Sequence, residues 1–273
     1  MISGTTRLAA VLGWPVEHSR SPQLLNAAFA AAQIDAVLVP IAVPPEGRAT
    51  AVAGLRAMRM LGASVTIPHK LAVAALGDEL SPVAKAIGAV NCIQLDGDRM
   101  IGHNTDEGGF ADGLISAGFD LRGRRSVVLG AGGSARAVAY ALRAGRAVEV
   151  GARRPEKVTW ARAWPWNPTQ LRECLERADI VVDCTSIGLG VPDEAAQVDA
   201  IPLEALPPRA WVTTLVYHRT PILLERAKAA GYSTLDGRAM LVHQGARAFS
   251  IWTGTPAPVE AMTRALDDSL RGT

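Results

Sequence analysis

Cysteine is nearly missing from this chain: Cys92, Cys174 and Cys184 are all it has, far apart and odd in number. With no metal-type or redox-type pairing, they exclude a disulfide framework and read as small buried hydrophobes carrying reduced thiols, as in a cytosol. A dominant charge is missing too, since 28 Lys and Arg stand against 26 Asp and Glu with no long block of either sign. Nucleic acid and anionic membranes are therefore not expected partners, whereas a small charged molecule is. No long apolar run opens the chain. The stretch "MISGTTRLAAVLGWP" carries an arginine and soon reaches Gly13 and Pro15, so it reads as neither signal peptide nor membrane span, and cytoplasm is the expected location. His18, His69 and His103 show no HxxxH-type spacing, so no metal is expected. Internal repeats and low-complexity segments are also missing.

What is present is alternation. The chain of 273 residues is long enough for one large domain or two modest ones without a covalent staple. Short apolar runs alternate with longer amphipathic ones, the pattern of an α/β fold. Leu8–Leu12, Ala36–Ala42 and Ala63–Ile67 are expected strands, with helices at about 23–33 and 46–60 between them, a spacing that implies parallel pairing. Asp96-Gly97-Asp98 marks a hairpin. After it the rhythm restarts with "RRSVVLGAGGSARAVAYALRAG", so a boundary near Thr105 is expected, with a connecting helix over 106–117. The Trp and Pro cluster "WARAWPWNP" reads as a surface excursion. The tail "RAMLVHQGARAFSIWTG" reads as a helix with an apolar stripe, free to pack on the second unit or to cross back to the first.

Gly130-Ala131-Gly132-Gly133-Ser134-Ala135 fits G-x-G-x-x-A between a strand, Ser126–Leu129, and a helix, Ser134–Arg143. Gly130 permits the tight turn, Gly132 admits a pyrophosphate to the backbone, and Ala135 lets helix and strand pack closely, while free helix N–H groups face the phosphates. At the tip of the next strand, NAD would require an acid for the ribose 2′-OH. Here Ala152 is followed by Arg153, Arg154 and Lys157, groups that suit a 2′-phosphate, and Glu149 lies inside the strand. NADP is the expected dinucleotide.

Polar groups gather at strand ends in three further stretches, "GWPVEHSRSPQLLN", "VTIPHK" and "GAVNCIQLDGDRMIGHNTDEGG". Together with "GAGGSARA", "CTSIG", "LVYHRTPIL" and "MLVHQGARAFSIWTG", they resemble the shikimate dehydrogenase family, NADP-dependent 3-dehydroshikimate reductases of aromatic amino acid biosynthesis. The resemblance runs over nearly the whole chain. It implies an open α/β substrate domain over 1–105, a Rossmann-type NADP domain over 106–238, and C-terminal helices over 239–273 that return to the first domain. It implies substrate contacts from Ser19, Ser21, Thr66, Asn91, Tyr217 and Gln244. Cofactor contacts fall on Gly130 to Ala135, Arg153, Arg154 and Thr185. A monomer or homodimer is expected. Departures from the family pattern are Leu25 for a usual His, Cys92 closing "GAVN", Ala152-Arg153-Arg154 for "NRT", and Thr214 and Arg219 flanking Tyr217.

The implied chemistry is reversible reduction of a ring ketone to shikimate, which needs a hydride and a proton. Lys70 is the expected ammonium at the developing alkoxide, and Asp106 the carboxylate that holds it, both expected at the cleft between units. On this reading the strand before Pro68 is scaffold that delivers Lys70. Read without the resemblance, Ser21 with Pro22 would equally be a helix N-cap. A quinate/shikimate paralogue using NAD, and a dinucleotide-sensing regulator without catalysis, are the competing readings; the first lacks its acid at the strand tip, and the second would have lost Lys70 or Asp106.

Overall fold

A computed structural model describes residues 2–190 and 192–271, so the outer ends 1 and 273 of the expected segments lie outside it. The chain divides into two compact units. Residues up to Gly109 together with those from Leu241 form the first, and Phe110–Met240 form the second. The divisions fall inside the helices Asp106–Ser116 and Arg238–Thr253.

In chain order the first unit runs β1 (Arg7–Gly13), α1 (Ser21–Ala31), β2 (Ala36–Ala42), α2 (Arg48–Ala57), β3 (Gly62–Val65), α3 (Lys70–Val73), β4 (Glu79–Leu80), α4 (Pro82–Ile87), β5 (Cys92–Asp96) and β6 (Arg99–His103). Its sheet has the order β2-β1-β3-β5-β6-β4, with β1 parallel to both neighbours and β5 antiparallel to both of its own. The period-2 geometry of a strand sends alternate side chains of β1 to opposite faces. Ala9 and Val11 join one core with Leu24, Leu25 and Phe29, while Ala10 and Leu12 join another with Leu55, Ala63 and Val65. A strand buried on both faces must read as continuously apolar, as this one does. The hairpin closes at Asp96 and Arg99, with Gly97 at φ +61° between them. In that left-handed region a glycine carries no Cβ penalty.

The next helix is α5 (Asp106–Ser116), followed by β7 (Arg125–Leu129), α6 (Gly133–Ala141), β8 (Ala147–Ala152), β9 (Arg162–Pro165), α7 (Pro168–Leu175), β10 (Ile180–Asp183), α8 (Glu194–Asp199), β11 (Trp211–Thr214), α9 (Ile222–Ala229) and β12 (Ser233–Leu235). The second unit's sheet, β12-β11-β10-β7-β8-β9, is parallel at every pairing. One reading needs correction here. The Trp and Pro cluster is not a surface excursion but contains β9, an edge strand paired with β8 only. Trp164 is buried against Gly151, where a Cβ would lie 2.6 Å from its ring, and Asn167 caps α7 by accepting from the Gln170 N–H. Pro165 fits an edge, where no ladder hydrogen bond is lost.

The tail forms α10 (Arg238–Thr253) and α11 (Val259–Arg271). It returns to the first unit: Phe249, Trp252, Met262 and Leu266 share the core of α1, the Phe29 and Phe249 rings lie 5.5 Å apart, and the Trp252 indole donates to the Ile93 carbonyl at 2.9 Å. Leu25 is fully buried in this core and acts by packing.

Candidate active site

The first unit brings together four residues that are distant in sequence. Lys70 Nζ donates to Asp106 Oδ2 at 2.7 Å, and Asn91 Nδ2 donates to Asp106 Oδ1 at 2.8 Å, so each carboxylate oxygen has a donor. Asn91 Nδ2 also lies 3.3 Å from Gln244 Oε1 and 2.9 Å from Thr105 Oγ1, and Asn91 Oδ1 accepts from the Thr105 N–H at 2.6 Å. The Asp106 side chain is 4% exposed and that of Lys70 13%. At this depth each member of the pair depends on its partner, because an unpaired charge there would be far costlier than the pair.

Local sequence explains each placement. Asn91 begins where the Val65 N–H donates to its carbonyl and its own N–H donates to His103, which pins it between β3 and β6. Asp106 opens α5, where the helix N-terminus favours negative charge. Gln244 reaches Asn91 because α10 passes close to α5: a Cβ on Gly109 would lie 2.5 Å from the Gln244 nitrogen, so "EGG" is a packing requirement. Lys70 follows its strand, as expected, but the strand ends two residues short of the expected Ile67. β3 stops at Val65, and Lys70 follows a turn closed by the His69 N–H donating to the Thr66 carbonyl, then begins the single helical turn of α3.

The remaining expected residues fall as follows. Thr66 lies in the turn before Lys70, held by its N–H to the Leu12 carbonyl, and its methyl lies 2.5 Å from where a Cβ on Gly13 would sit. Ser21 opens α1 and Ser19 lies in the loop two residues before it, with the Ser21 N–H 3.3 Å from Ser19 Oγ. Ser21 is the first helical residue and its hydroxyl caps nothing, so the N-cap alternative is not what the helix uses. Tyr217 belongs to the second unit, half-buried just past β11. Sequence reasoning passed over Thr105, although it sits inside the quoted motif "NTD"; His69, set aside there as a metal ligand, makes a hydrogen bond to the Val43 carbonyl at 2.7 Å.

In the second unit the glycine turn has the shape the motif implies. Gly130 has φ +108°, and a Cβ there would stand 3.0 Å from the Cys184 carbonyl oxygen, so β10 can end beside it only if this residue is glycine. No described atom lies within 4 Å of a Cβ placed on Gly132, which leaves a cradle beside the first turn of α6. Ala131 and Gly132 are exposed, Gly133 and Ser134 half-buried, and Ala135 fully buried against the sheet. These groups fit a pyrophosphate. Arg153 and Arg154, just past β8, are exposed and ion-pair with no described residue. Glu149 does not compete for a ribose: it faces β9 and pairs with Arg162 at 3.3 Å.

Thr185 follows β10 and is fixed by Asp183, whose Oδ1 accepts from its N–H at 3.0 Å and its hydroxyl at 2.7 Å; Thr185 Oγ1 in turn accepts from the Ile187 N–H at 3.0 Å. Burial pushes the Asp183 carboxyl up to about 6, against the lowering effect of the Thr185 hydrogen bonds and with a small push from Glu194. Among the described residues no cluster of His, Cys, Asp or Glu could hold a metal ion, and no helix is long and apolar enough to cross a membrane.

A parallel doubly wound sheet with a glycine-rich strand-to-helix turn in one unit, and a buried lysine-carboxylate pair in an α/β unit of the same chain, fit the class of two-unit nicotinamide-dinucleotide dehydrogenases. Comparison with known proteins narrows that class. Residues 11–93 match the shikimate dehydrogenase substrate binding domain, and residues 237–266 match the shikimate 5′-dehydrogenase C-terminal domain. A shikimate dehydrogenase (NADP+) of Desulforamulus reducens is 38% identical over 97% of this chain and 96% of its own. Among solved structures, a shikimate dehydrogenase in complex with NADP+ superposes with a TM-score of 0.89 at 32% identity, covering 99% of this chain and 98% of that one. Another from Thermus thermophilus, in complex with NADP(H) and shikimate, gives 0.85 at 34% identity, over 97% of this chain and 100% of that one. The chain belongs to the shikimate dehydrogenase family.

Proposed function

We propose that this protein catalyses the reversible NADPH-dependent reduction of 3-dehydroshikimate to shikimate, within the pathway to chorismate and the aromatic amino acids. The observation that carries this reading is the 2.7 Å contact of Lys70 with a buried Asp106, tied in turn to Asn91. NADP, when bound, supplies or accepts the hydride at C4 of its nicotinamide. Lys70 gives the proton to the oxygen that becomes an alkoxide and takes it back in the reverse direction. Asp106 holds the ammonium in line, and because its other oxygen is held by Asn91 it cannot swing away. Asn91 and Gln244 have amides, and Ser19, Ser21, Thr66 and Tyr217 hydroxyls, for the ring hydroxyls and carboxylate of the substrate. Gly130, Ala131, Gly132, Gly133, Ser134 and Ala135 form the pyrophosphate turn, Thr185 lies on the neighbouring loop, and Arg153 with Arg154 takes the 2′-phosphate.

On this proposal the substrate domain is the first unit and the NADP domain the second. The three free thiols support a cytoplasmic protein, and a monomer or homodimer is proposed, to be decided by light scattering. Turnover followed by nicotinamide absorbance, with shikimate or quinate and NADP+ or NAD+, tests the assignment. Shikimate with NADP+ is the expected best pair; failure to oxidise shikimate with either dinucleotide would overturn it.

A further inference from the structure

His69 precedes Lys70 and is 1% exposed, yet its ring makes one tie: Nε2 lies 2.7 Å from the Val43 carbonyl oxygen, while Nδ1 is buried without a hydrogen-bond partner among the described residues. A carbonyl can only accept, so Nε2 carries the hydrogen. A polar ring buried for one hydrogen bond costs more than an apolar side chain of the same size in that place, unless the bond does something packing cannot.

What it fastens is the base of Lys70. The helix α3 has four residues, too few to hold its own direction. Its orientation comes from the ties at its start. On one side the Val90 N–H donates to the Lys70 carbonyl at 2.8 Å, next to Asn91. On the other, the His69 ring reaches Val43, whose own N–H donates to the Gly13 carbonyl at 2.9 Å at the end of β1. The two ties grip consecutive residues from opposite segments, so together they fix where the Lys70 side chain leaves the backbone.

We propose that His69 is a positioning residue for Lys70: its hydrogen bond to the Val43 carbonyl sets the direction in which the ammonium meets Asp106 and the reacting oxygen. This rests on the reading that Lys70 moves the proton. His69 touches neither substrate nor cofactor on this proposal, and it acts through its neighbour alone.

The test is a double-variant cycle on the full chain, reading kcat, KM for shikimate and for NADP+, and the melting temperature. His69→Ala should lower kcat by about 30- to 100-fold, the size of loss that misplacing a reacting group brings, with both KM values within about threefold. His69→Gln, whose amide nitrogen falls near Nε2, should restore most of the rate, whereas the shorter His69→Asn should not. In a Lys70→Ala background His69→Ala should add no further loss, because the residue it positions is already gone. Multiplicative losses in the double variant, or equal activity of the Gln and Asn variants, would overturn the proposal. Should His69→Ala fail to fold, the Gln and Asn pair decides alone. Full turnover in Lys70→Ala would instead sink the reading beneath it, and that outcome is distinct.

Discussion

The two units build their sites from different materials. In the first, side chains from residues 70, 91, 106 and 244 are joined by buried hydrogen bonds into one cluster. In the second, the glycine turn is mostly backbone, shaped by Gly130 and the open side of Gly132, and the charged groups at the strand tip are exposed. A cluster of buried polar groups depends on every member, since removing one leaves the others unsatisfied. A backbone cradle with exposed arginines shares its work, and water fills in when one side chain goes. Chemistry should thus fail sharply in the first unit and cofactor preference should drift gradually in the second.

The largest effect tests the buried cluster. Asp106→Ala strands an ammonium and an amide, and should lower kcat by about a thousandfold and unfolding free energy by about 3–5 kcal/mol. A loss confined to KM would break the contrast. Next comes Asp183, the buried acid that shapes the Thr185 loop. Its folded value, about 6, lies above the unfolded 3.8, so between those values the native state binds more protons. Its stabilising protonated form is fully present below pH 4 and is lost as pH rises through 6. Asp183→Asn keeps an acceptor for Thr185 and should remove this slope, so that its urea stability gains on the parent by about 2–3 kcal/mol between pH 4 and 7. Parallel curves would show the carboxyl to be unperturbed. Arg153→Ala should weaken NADP+ by about 10- to 100-fold and leave NAD+ nearly unchanged, measured as KM. Equal losses would put the 2′-phosphate elsewhere. Smallest is Arg162→Ala, which removes an exposed arginine from a half-buried Glu149 and should cost under about 1 kcal/mol without shifting the NADP+ to NAD+ ratio. A swing toward NAD+ would mean that Glu149 had been freed to hold a ribose.

Much of this architecture was legible before any coordinates. Strands such as Ala36–Ala42 are short apolar runs, and the glycine turn between strand and helix announces itself because a phosphate cradle needs glycine at fixed spacing. Lys70, Asp106, Asn91 and Gln244 were reached through the family resemblance, and no periodicity would have found them, since side-chain ties between residues 91 and 244 leave no local pattern. The tie of His69 to a carbonyl 26 positions away is invisible for the same reason. β9 was missed because two prolines and three tryptophans around it carry no alternation, and an edge strand needs little. Ser21 shows the reverse failure, where a local cap signal was present and the helix does not use it.

The central claim is that the Lys70 ammonium, held by Asp106, moves the proton that accompanies hydride transfer. Single-turnover oxidation of shikimate by NADP+ in Lys70→Met, which keeps the length and loses the charge, tests it most directly. The account predicts a transfer rate about a thousandfold slower with shikimate affinity within a few-fold of the parent. A rate equal to the parent's would contradict it.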